Sequence, residues 1–428
     1  MKKVKNAPIY DISGMSLVKQ GTLGMQHVFT LFASTVLVPI LTGLDVGVAL
    51  VMSGIGTLIF HFVTQFKVPA YLGSSFSFIA PILVAGEIYG LDYARGGIVV
   101  AGLIYLIFSV LISAFGPEKI VSFFPPVVTG PIIIVISMTL APTAINMASQ
   151  NWLLSMVTLA VIIAVAIFGK GFLKIVPVII GLTAGYILAA IMGKIDYTPI
   201  IEAAWFGLPN FSLPKFNIGA ILIVAPIALT TVVEHMGDVL AMSGVIKKDI
   251  AKDPGLNRTL AGDGLATTIS AFFGGPANTT YSQNTGVLAL TKVFDPRVMR
   301  IAAVMTIAIG LIPKLTGFTD TIPRAIIGGA VIVLFGMIAS IGARTLVDNR
   351  VDFSKTRNMI IASVILVFGL GGAVIPIKVG PVEIRLVGMA LAAIIGIALN
   401  KILPIEIDED EDEEDAEAEA EGIVFEEN

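Results

Sequence analysis

The sequence predicts an all-α polytopic membrane protein of about fourteen transmembrane spans, arranged as two inverted repeats of seven spans. Three observations carry this prediction. The 428 residues are 56% hydrophobic and 14% charged, whereas about a quarter of the residues in a soluble domain are charged. Apolar runs of membrane-spanning length recur from about Gly21 to Leu403, and about 20 apolar residues suffice to cross a bilayer. The third observation is that the two halves of the chain match each other.

Several of the predicted spans are short or broken. Gly-Pro turns such as FFGGPAN separate neighbouring spans, because proline does not continue a helix. The first apolar run lacks a small-residue cleavage site, so we expect a retained helix and not a signal peptide. The predicted spans cover residues 20–42, 46–64, 71–88, 96–115, 124–143, 152–169, 173–193, 217–243, 257–274, 279–293, 298–313, 322–342, 357–376 and 382–403.

The basic residues predict the orientation of these spans. With the N-terminus inside, the inner loops hold 20 Lys and Arg residues and the outer loops hold 7, which is the bias of cytoplasmic loops. An even number of spans then places both termini in the cytoplasm, and we expect a multi-pass protein of a bacterial-type inner membrane. The chain has no cysteine, which excludes disulfides and thiolate metal sites.

The C-terminal stretch from Glu406 to Glu427 differs from the rest of the chain, since it holds 14 of the 31 acidic residues. Outside it, 17 acidic residues stand against 27 basic ones, a net charge of +10. Such a low-complexity acidic run repels itself and is predicted to be disordered. We interpret it as a solvated extension, with a regulatory or partner-binding tail as the alternative.

The two halves match at four places in chain order. A shift of 208 residues places Gln26-His27 on Glu234-His235, and also SGIGTLI on AGDGLAT. A shift of 207 places VPAYLGSSF on GPANTTYSQ, and a shift of 198 places PPVVTGP on PRAIIGG. Because seven spans per half is an odd number, the second half is inserted upside down. Inverted repeats with broken helices are typical of secondary transporters.

Three carboxylates lie inside otherwise apolar spans, namely Glu234, Asp238 and Asp263. Glu234 and Asp238 are four residues apart and share a helix face, and their span contains no Lys or Arg. An ionised carboxylate in the centre of a membrane helix costs about 2.5–3.5 kcal/mol on insertion scales. The pattern therefore predicts a polar cavity, partial protonation or both, with a structural hydrogen-bonded pair as the alternative.

Two histidines are candidates for proton movement beside these carboxylates. His235 follows Glu234 and points about 100° away around the helix, and His27 is its counterpart in the repeat. A packing histidine is the alternative for both. Only three histidines are present, widely spaced, so we predict neither a metal site nor a cofactor.

Two polar, helix-breaking stretches occupy matching places in the halves, YLGSSF at 71–76 and TTYSQNTG at 279–286. Each fits a short extended segment that leads into a half-helix with free N–H groups, and irregular backbone at membrane depth must line a cavity or be buried in protein. Phe76 offers an aromatic face and Gln283 an amide, although a packing role is the alternative for Phe76. With a carboxylate they suit a planar, uncharged heteroaromatic solute. The other candidate binding residues in these stretches are Ser75, Tyr281 and Ser282.

The segment QNTGVLALTK, Gln283 to Lys292, resembles the signature of the nucleobase–ascorbate transporter (nucleobase:cation symporter-2) family. That signature is Gln, Glu or Pro, then Asn, any residue, Gly, four residues, Thr, and Arg, Lys or Gly. The matching positions are Gln283, Asn284, Gly286, Thr291 and Lys292. PAYLGSSFSFIAP, EHMGD and DPGLNRTLAGDG also look like the bacterial uracil branch of this family, and the resemblance covers residues 8–403.

The resemblance implies a division into a core and a gate domain that move against each other, with short strands in spans 3 and 10. The core would comprise residues 20–115 and 217–313, and the gate residues 116–195 and 322–403. Residues 1–19 and 404–428 would be cytoplasmic. Members of the family work as proton-coupled symporters, commonly as homodimers.

The resemblance also implies roles for individual residues. Glu234 would bind the base, Phe76 would pack on its ring and Gln283 would be the second binding side chain. Asp238 and Asp263 match positions linked to proton coupling or to organisation of the substrate site.

Two positions depart from the uracil branch. Gln283 stands where uracil permeases usually have Glu, and Asp238 where they have His, and both resemble xanthine and urate transporters. An amide donates and accepts hydrogen bonds, whereas a carboxylate only accepts them, so the exchange can alter which edge of the base is read. Because the flanking segments resemble the uracil branch, we predict uracil:proton symport, with xanthine or urate:proton symport as the alternative.

An alternative from another class is an anion exchanger or channel on the same inverted-repeat scaffold. Such proteins hold an anion at a basic residue or at bare helix N-termini, whereas the centre of this chain is acidic. An intramembrane enzyme would need a catalytic constellation such as paired aspartates on facing helices or a metal cluster, and this chain offers only three widely spaced histidines. The sequence therefore predicts a transporter and not an enzyme, with a nucleobase, a proton and the lipid bilayer as partners and no nucleic acid.

Overall fold

The computed structural model describes residues 7–122, 125–379 and 382–404. The predicted acidic tail lies outside the described residues. Within them the chain forms nineteen α-helices, joined by short helical turns at Phe76–Phe78, Gly171–Ile175 and Ala251–Gly255. The helices are α1 (Leu17–Thr42), α2 (Val46–Val63), α3 (Ile79–Tyr89), α4 (Leu91–Phe115), α5 (Pro117–Val121), α6 (Pro126–Thr139), α7 (Ala141–Ser149), α8 (Trp152–Phe168), α9 (Pro177–Ile191), α10 (Thr198–Glu202), α11 (Ile218–Val224), α12 (Ile227–Ile246), α13 (Leu256–Phe272), α14 (Ser282–Thr291), α15 (Arg297–Gly310), α16 (Pro313–Asp320), α17 (Arg324–Asp348), α18 (Thr356–Leu370) and α19 (Gly388–Ile402).

The length and composition of the helices confirm a multi-pass membrane protein. Among the described residues, six segments are long and apolar enough to cross a bilayer: α1, α2, α4, α17 and the consecutive pairs α6–α7 and α11–α12. The pair α15–α16, bent by 77°, would make a seventh. Shorter apolar helices such as α8 and α9 have 17 and 15 residues. At 1.5 Å per residue these are about 25 Å long or less, so the count of fourteen spans stays a prediction.

Two short strands lie where the sequence predicts broken spans. They are β1 (Leu72–Ser74), which leads through a helical turn into α3, and β2 (Asn278–Thr280), which leads into α14. The strands pair antiparallel, with Gly73 opposite Thr279. Pairing satisfies the backbone groups that face each other, and hydroxyls of Ser53, Thr57 and Thr267 bond outward-facing groups of Leu72 and Asn278. Backbone groups of extended segments need such partners because they find no water in the bilayer core. This part of the predicted fold is confirmed.

Gly73 shows how closely the two halves meet. A Cβ atom at this position would lie against the ring of Tyr281, so the pairing of β1 with β2 requires a residue without a side chain. Similarly, Gly102 on α4 faces the backbone of Gly264 on α13, and a Cβ at Gly102 would come within 2.8 Å of the Gly264 carbonyl oxygen. Small residues let membrane helices approach each other, and here they join helices from opposite halves.

The helices pack across the repeat. Helix α13 lies against α2 and α4, and α15 lies against α1 and α2. Helix α17 lies against α6, α7 and α8, while α18 and α19 lie against each other and against α6. Elements from both halves therefore contribute to each group of packed helices.

Two regions differ from the predicted spans. The predicted helical spans 357–376 and 382–403 are wrong at their facing ends, where an antiparallel hairpin forms from β3 (Val374–Val379) and β4 (Val382–Val387). Helix α18 ends before Gly372, which has a positive φ of 65°, and the β-branched residues that follow favour strands. The predicted span 217–243 is also interrupted between α11 and α12, because Pro226 cannot supply a backbone N–H inside a helix.

Candidate functional site

A cavity of about 290 Å³ lies between the two broken spans and helices α6, α12 and α17. Its size is at or just below the lower end of the usual range of about 300–1,000 Å³ for small-molecule pockets, so it suits a small solute. One wall is polar and is formed by Phe76, Ser77, Glu234, Asp238, Thr279, Thr280, Tyr281, Ser282 and Gln283. The opposite wall is apolar and is formed by Ile133, Ile136, Leu334, Met337, Ile338 and Ile341.

A second cavity, of about 190 Å³, lies between α1, α9, α16 and α17. Its lining is almost wholly apolar and includes no charged side chain. A polar solute would lose its hydrogen bonds with water there and gain few in return. The cavity beside Glu234 is therefore the candidate binding site.

Glu234 and Asp238 lie one turn apart on α12 and both face the cavity. The Ser77 hydroxyl donates a hydrogen bond of 3.0 Å to Oε2 of Glu234. Ser77 belongs to the turn between β1 and α3, so this bond joins the first half of the chain to the second. Glu234 is exposed to the cavity, which leaves its second carboxylate oxygen accessible to a ligand.

The N-terminus of α14 forms the other polar side of the cavity. Tyr281 precedes the helix and provides no side-chain cap, so the first N–H groups of α14 lack the partner that a capping side chain supplies. The Tyr281 hydroxyl donates to the Ser74 carbonyl oxygen at 2.9 Å, and the backbone N–H of Tyr281 donates to the Tyr71 carbonyl oxygen at 2.9 Å. These bonds hold Tyr281 in place, and Ser282 and Gln283 are exposed at the cavity.

A buried acid–base pair lies behind this wall. Nδ1 of His235 is 2.7 Å from Oδ2 of Asp263, and the Thr280 hydroxyl donates to Oδ1 of Asp263 at 3.3 Å. His235 and Asp263 are both fully buried and are not part of the cavity wall. The pair and the Thr280 hydroxyl connect α12, α13 and β2 to one another.

The signature residues lie at the two ends of α14, except Gly286, which lies within the helix. At its start, Gln283 faces the cavity, and Nδ2 of Asn284 donates to Nδ1 of the buried His27 on α1 at 3.1 Å. At its end, the Thr291 hydroxyl accepts from the N–H of Val293 at 3.3 Å. The last position, Lys292, adopts a left-handed conformation with φ of 55°, which ends the helix. Gly286 has open space where a Cβ would stand.

The structure brings most of the predicted site residues together and separates a few. Glu234, Asp238, Phe76, Tyr281, Ser282 and Gln283 line the cavity, whereas Ser75, His27, His235 and Asp263 lie outside its lining. Ser75 is buried, and Ser77, two residues on, makes the contact with Glu234. Within the described ranges, no cluster of three or more His, Asp or Glu side chains is placed to hold a metal ion.

Sequence reasoning missed two parts of the site. Ser77 was overlooked, although its place beside Phe76 at the start of a predicted half-helix is a usable signal. The apolar wall on α6 and α17 was also missed. Its signal is the match of PPVVTGP with PRAIIGG, because these segments begin the two helices that supply this wall.

Comparison with known proteins extends over most of the chain. The family model Xan_ur_permease, described as a permease family, matches residues 18–378. The chain is 44% identical over 398 residues to the probable uracil permease of Haemophilus influenzae, covering 91% of this chain and 95% of the relative. It is 43% identical over 415 residues to the uracil permease of Bacillus caldolyticus, covering 93% and 95%.

Among solved structures, the fold resembles that of murine Slc26a9, an anion transporter, in its inward-facing state. The TM-score is 0.68 at 9% sequence identity, with 92% of this chain and 69% of that chain covered. At this identity the likeness concerns the fold alone.

Proposed function

This chain belongs to the xanthine–uracil permease family, the nucleobase:cation symporter-2 group, and from that premise we propose that it takes up uracil together with protons. As a member of this family it is a transporter and not an enzyme. The observation that carries the proposal is the cavity in which Glu234, held by Ser77, faces the N-terminus of α14. Relatives named uracil permease, matched over nearly their full length, support a nucleobase as the substrate.

The cavity offers partners both to the hydrogen-bonding edges of a single-ring base and to the face of its ring. The free oxygen of Glu234 accepts hydrogen bonds from ring N–H groups, and the amide of Gln283 pairs with a neighbouring C=O and N–H. The ring of Phe76 supplies an aromatic surface for stacking. Side chains of α6 and α17 cover the remaining apolar surface of the base, so that a planar solute is held by few directional contacts.

Proton coupling would follow from the free-energy cost of enclosing ionised carboxylates in a cavity without water. Glu234 and Asp238 face the cavity, and its lining contains no Lys or Arg. When the cavity closes and loses its water, the protonated carboxyl groups would therefore have a lower free energy than the ionised ones. Binding of a proton would therefore accompany closure around the base. The buried His235–Asp263 pair would organise this region or relay the proton.

The transport cycle would move a core domain against a gate domain. We assign the polar wall to the core (residues 20–115 and 217–313) and the apolar wall to the gate (residues 116–195 and 322–403), since an apolar surface slides past a bound solute without exchanging hydrogen bonds. We further propose a homodimer in the inner membrane with both termini in the cytoplasm.

Xanthine or urate is the second candidate substrate, and the exposed amide of Gln283 favours it. The sequence resemblance supports this candidate, since Gln283 stands at a position where xanthine and urate transporters typically have Gln and uracil permeases usually have Glu. We do not extend anion exchange to this chain, because the lining of its candidate site contains two carboxylates and no basic side chain.

Uptake into proteoliposomes tests the proposal. Purified protein should accumulate labelled uracil under an imposed pH gradient, an uncoupler should abolish the accumulation, and unlabelled uracil should compete better than xanthine, urate or hypoxanthine. Glu234→Gln should abolish accumulation, whereas Glu87→Gln, an exposed carboxylate of α3, should leave it unchanged. Competition by xanthine alone would overturn uracil as the substrate, and proton-driven uptake by Glu234→Gln would overturn the role of Glu234.

A further inference from the structure

The N-terminal segment ahead of α1 lies along the loop that follows α14. The N–H of Ile9 donates to the carbonyl oxygen of Lys292 at 2.8 Å, and the N–H of Phe294 donates to the carbonyl oxygen of Ile9 at 2.7 Å. Ile12 is fully buried against Val293. We call residues 8–12 the N-terminal strap, because they run across this loop as an added backbone segment.

A cluster of charges fastens the end of the strap. The N–H of Ile12 donates to Oδ2 of Asp295 at 2.8 Å. Arg297 donates to the same oxygen at 2.7 Å and also pairs with Asp11. One guanidinium therefore joins a carboxylate of the strap to a carboxylate of the loop, in the planar geometry that arginine favours.

Tyr10 connects the strap to a second loop, the one that follows α12. Its hydroxyl donates to the carbonyl oxygen of Ile246, the last residue of α12, at 2.9 Å. Its ring packs on Phe294 with the centroids 5.4 Å apart, and Nζ of Lys248 lies 4.6 Å from its centroid. A single side chain thus contacts the end of α12 and the loop after α14.

Both helix ends have the same unusual backbone conformation. Lys247 and Lys292, the residues that end α12 and α14, adopt left-handed conformations with φ of 54° and 55°. Residues with a side chain adopt this conformation rarely. In each case the strap binds a carbonyl oxygen at the turn, that of Ile246 or that of Lys292, and so stabilises both turns at once.

We propose that the strap is a clamp that sets the spacing of α12 and α14 and thereby positions Glu234 and Gln283 for the base. Glu234 lies twelve residues before Ile246, and Gln283 lies nine residues before Lys292. At 1.5 Å per residue these distances are about 18 and 14 Å. Both stretches are continuous helix, so a displacement of the helix end is carried to the site. The inference rests on the proposed binding roles of these two side chains.

The first experiment separates the clamp from a general contribution to stability. Tyr10→Phe keeps the ring against Phe294 but removes the bond to Ile246. The dissociation constant for uracil should rise by about 2- to 10-fold, which is the range for one net hydrogen bond, while the maximal transport rate stays unchanged. Tyr197→Phe, a half-exposed tyrosine ahead of α10, should change neither quantity. An unchanged dissociation constant in Tyr10→Phe would overturn the proposal.

The second experiment measures the spacing itself. Because the chain has no cysteine, spin labels can be attached uniquely to Ala241→Cys on α12 and Ala289→Cys on α14, both exposed positions. Double electron–electron resonance should give a narrow distance distribution that broadens in Tyr10→Phe. An unchanged distribution would refute the clamp. If no base binds to the unaltered protein, the proposed function fails, whereas the label distances still test the clamp.

Discussion

The hydrogen bond from Ser77 to Glu234 gives a quantitative test of the site. Ser77→Ala removes the only donor recorded to the Glu234 carboxylate among the described residues. A hydrogen bond to a charged group contributes about 1.5–3 kcal/mol and a bond between neutral groups about 0.5–1.5 kcal/mol. Because Glu234 is exposed to the cavity, water there replaces part of the lost bond. We therefore expect the free energy of uracil binding to weaken by about 1.5 kcal/mol, which is roughly a tenfold rise in the dissociation constant.

Equilibrium binding of labelled uracil to the purified protein measures this change. Ser340→Ala is the matched control, because this serine is exposed on α17 and bonds only its own helix. Ser75→Ala provides the decisive comparison, since the sequence predicts Ser75 as a binding residue and the structure places it outside the cavity lining. A change below twofold in Ser77→Ala, or a larger change in Ser75→Ala than in Ser77→Ala, would refute the geometry described for the site.

Three further predictions concern other parts of the molecule. Gln283→Glu should raise the dissociation constant for uracil roughly tenfold, because a carboxylate leaves a carbonyl group of the base without a donor; an unchanged dissociation constant would contradict this. Gly73→Ala should lower the melting temperature through a clash with Tyr281 that costs about 1–3 kcal/mol, unlike Gly237→Ala in open space. Hydrogen bonds from Ser13, and then from Arg297, lower the pKa of Asp11 to about 2. The pair of ionised Asp11 with Arg297 is therefore present above about pH 4 and is lost as the pH falls toward 2, so a spin label on the strap should keep its mobility from pH 8 to 5 and gain mobility below 4.

Much of the candidate site could be predicted from the sequence, because its chemistry is carried by residues that are costly in a membrane. Glu234 and Asp238 stand out against an apolar helix, and their spacing of four residues places them on one face. The match of YLGSSF with TTYSQNTG likewise predicts two broken spans. These inferences depend on local pattern, which a sequence displays directly.

Other features could not be predicted because they depend on which segments meet. His27 is the counterpart of His235 in the repeat, and yet it bonds Asn284, while His235 bonds Asp263. The β3–β4 hairpin replaces the facing ends of the predicted spans 357–376 and 382–403, because the two segments pair with each other. The strap could not be predicted either, because its binding to Lys292 and Ile246 joins residues more than 200 positions apart.

The sequence by itself determined that this chain is a polytopic permease of the nucleobase–ascorbate family, with broken spans and a carboxylate on α12 at its centre. Hydrophobic length, repeat pattern and isolated charge are local properties, and each has few structural solutions in a bilayer. Only the tertiary structure decided that Ser77 and not Ser75 contacts Glu234, that α6 and α17 supply the apolar wall, and that the strap ties α12 to α14. Those contacts are set by the packing of distant segments, which no local pattern records.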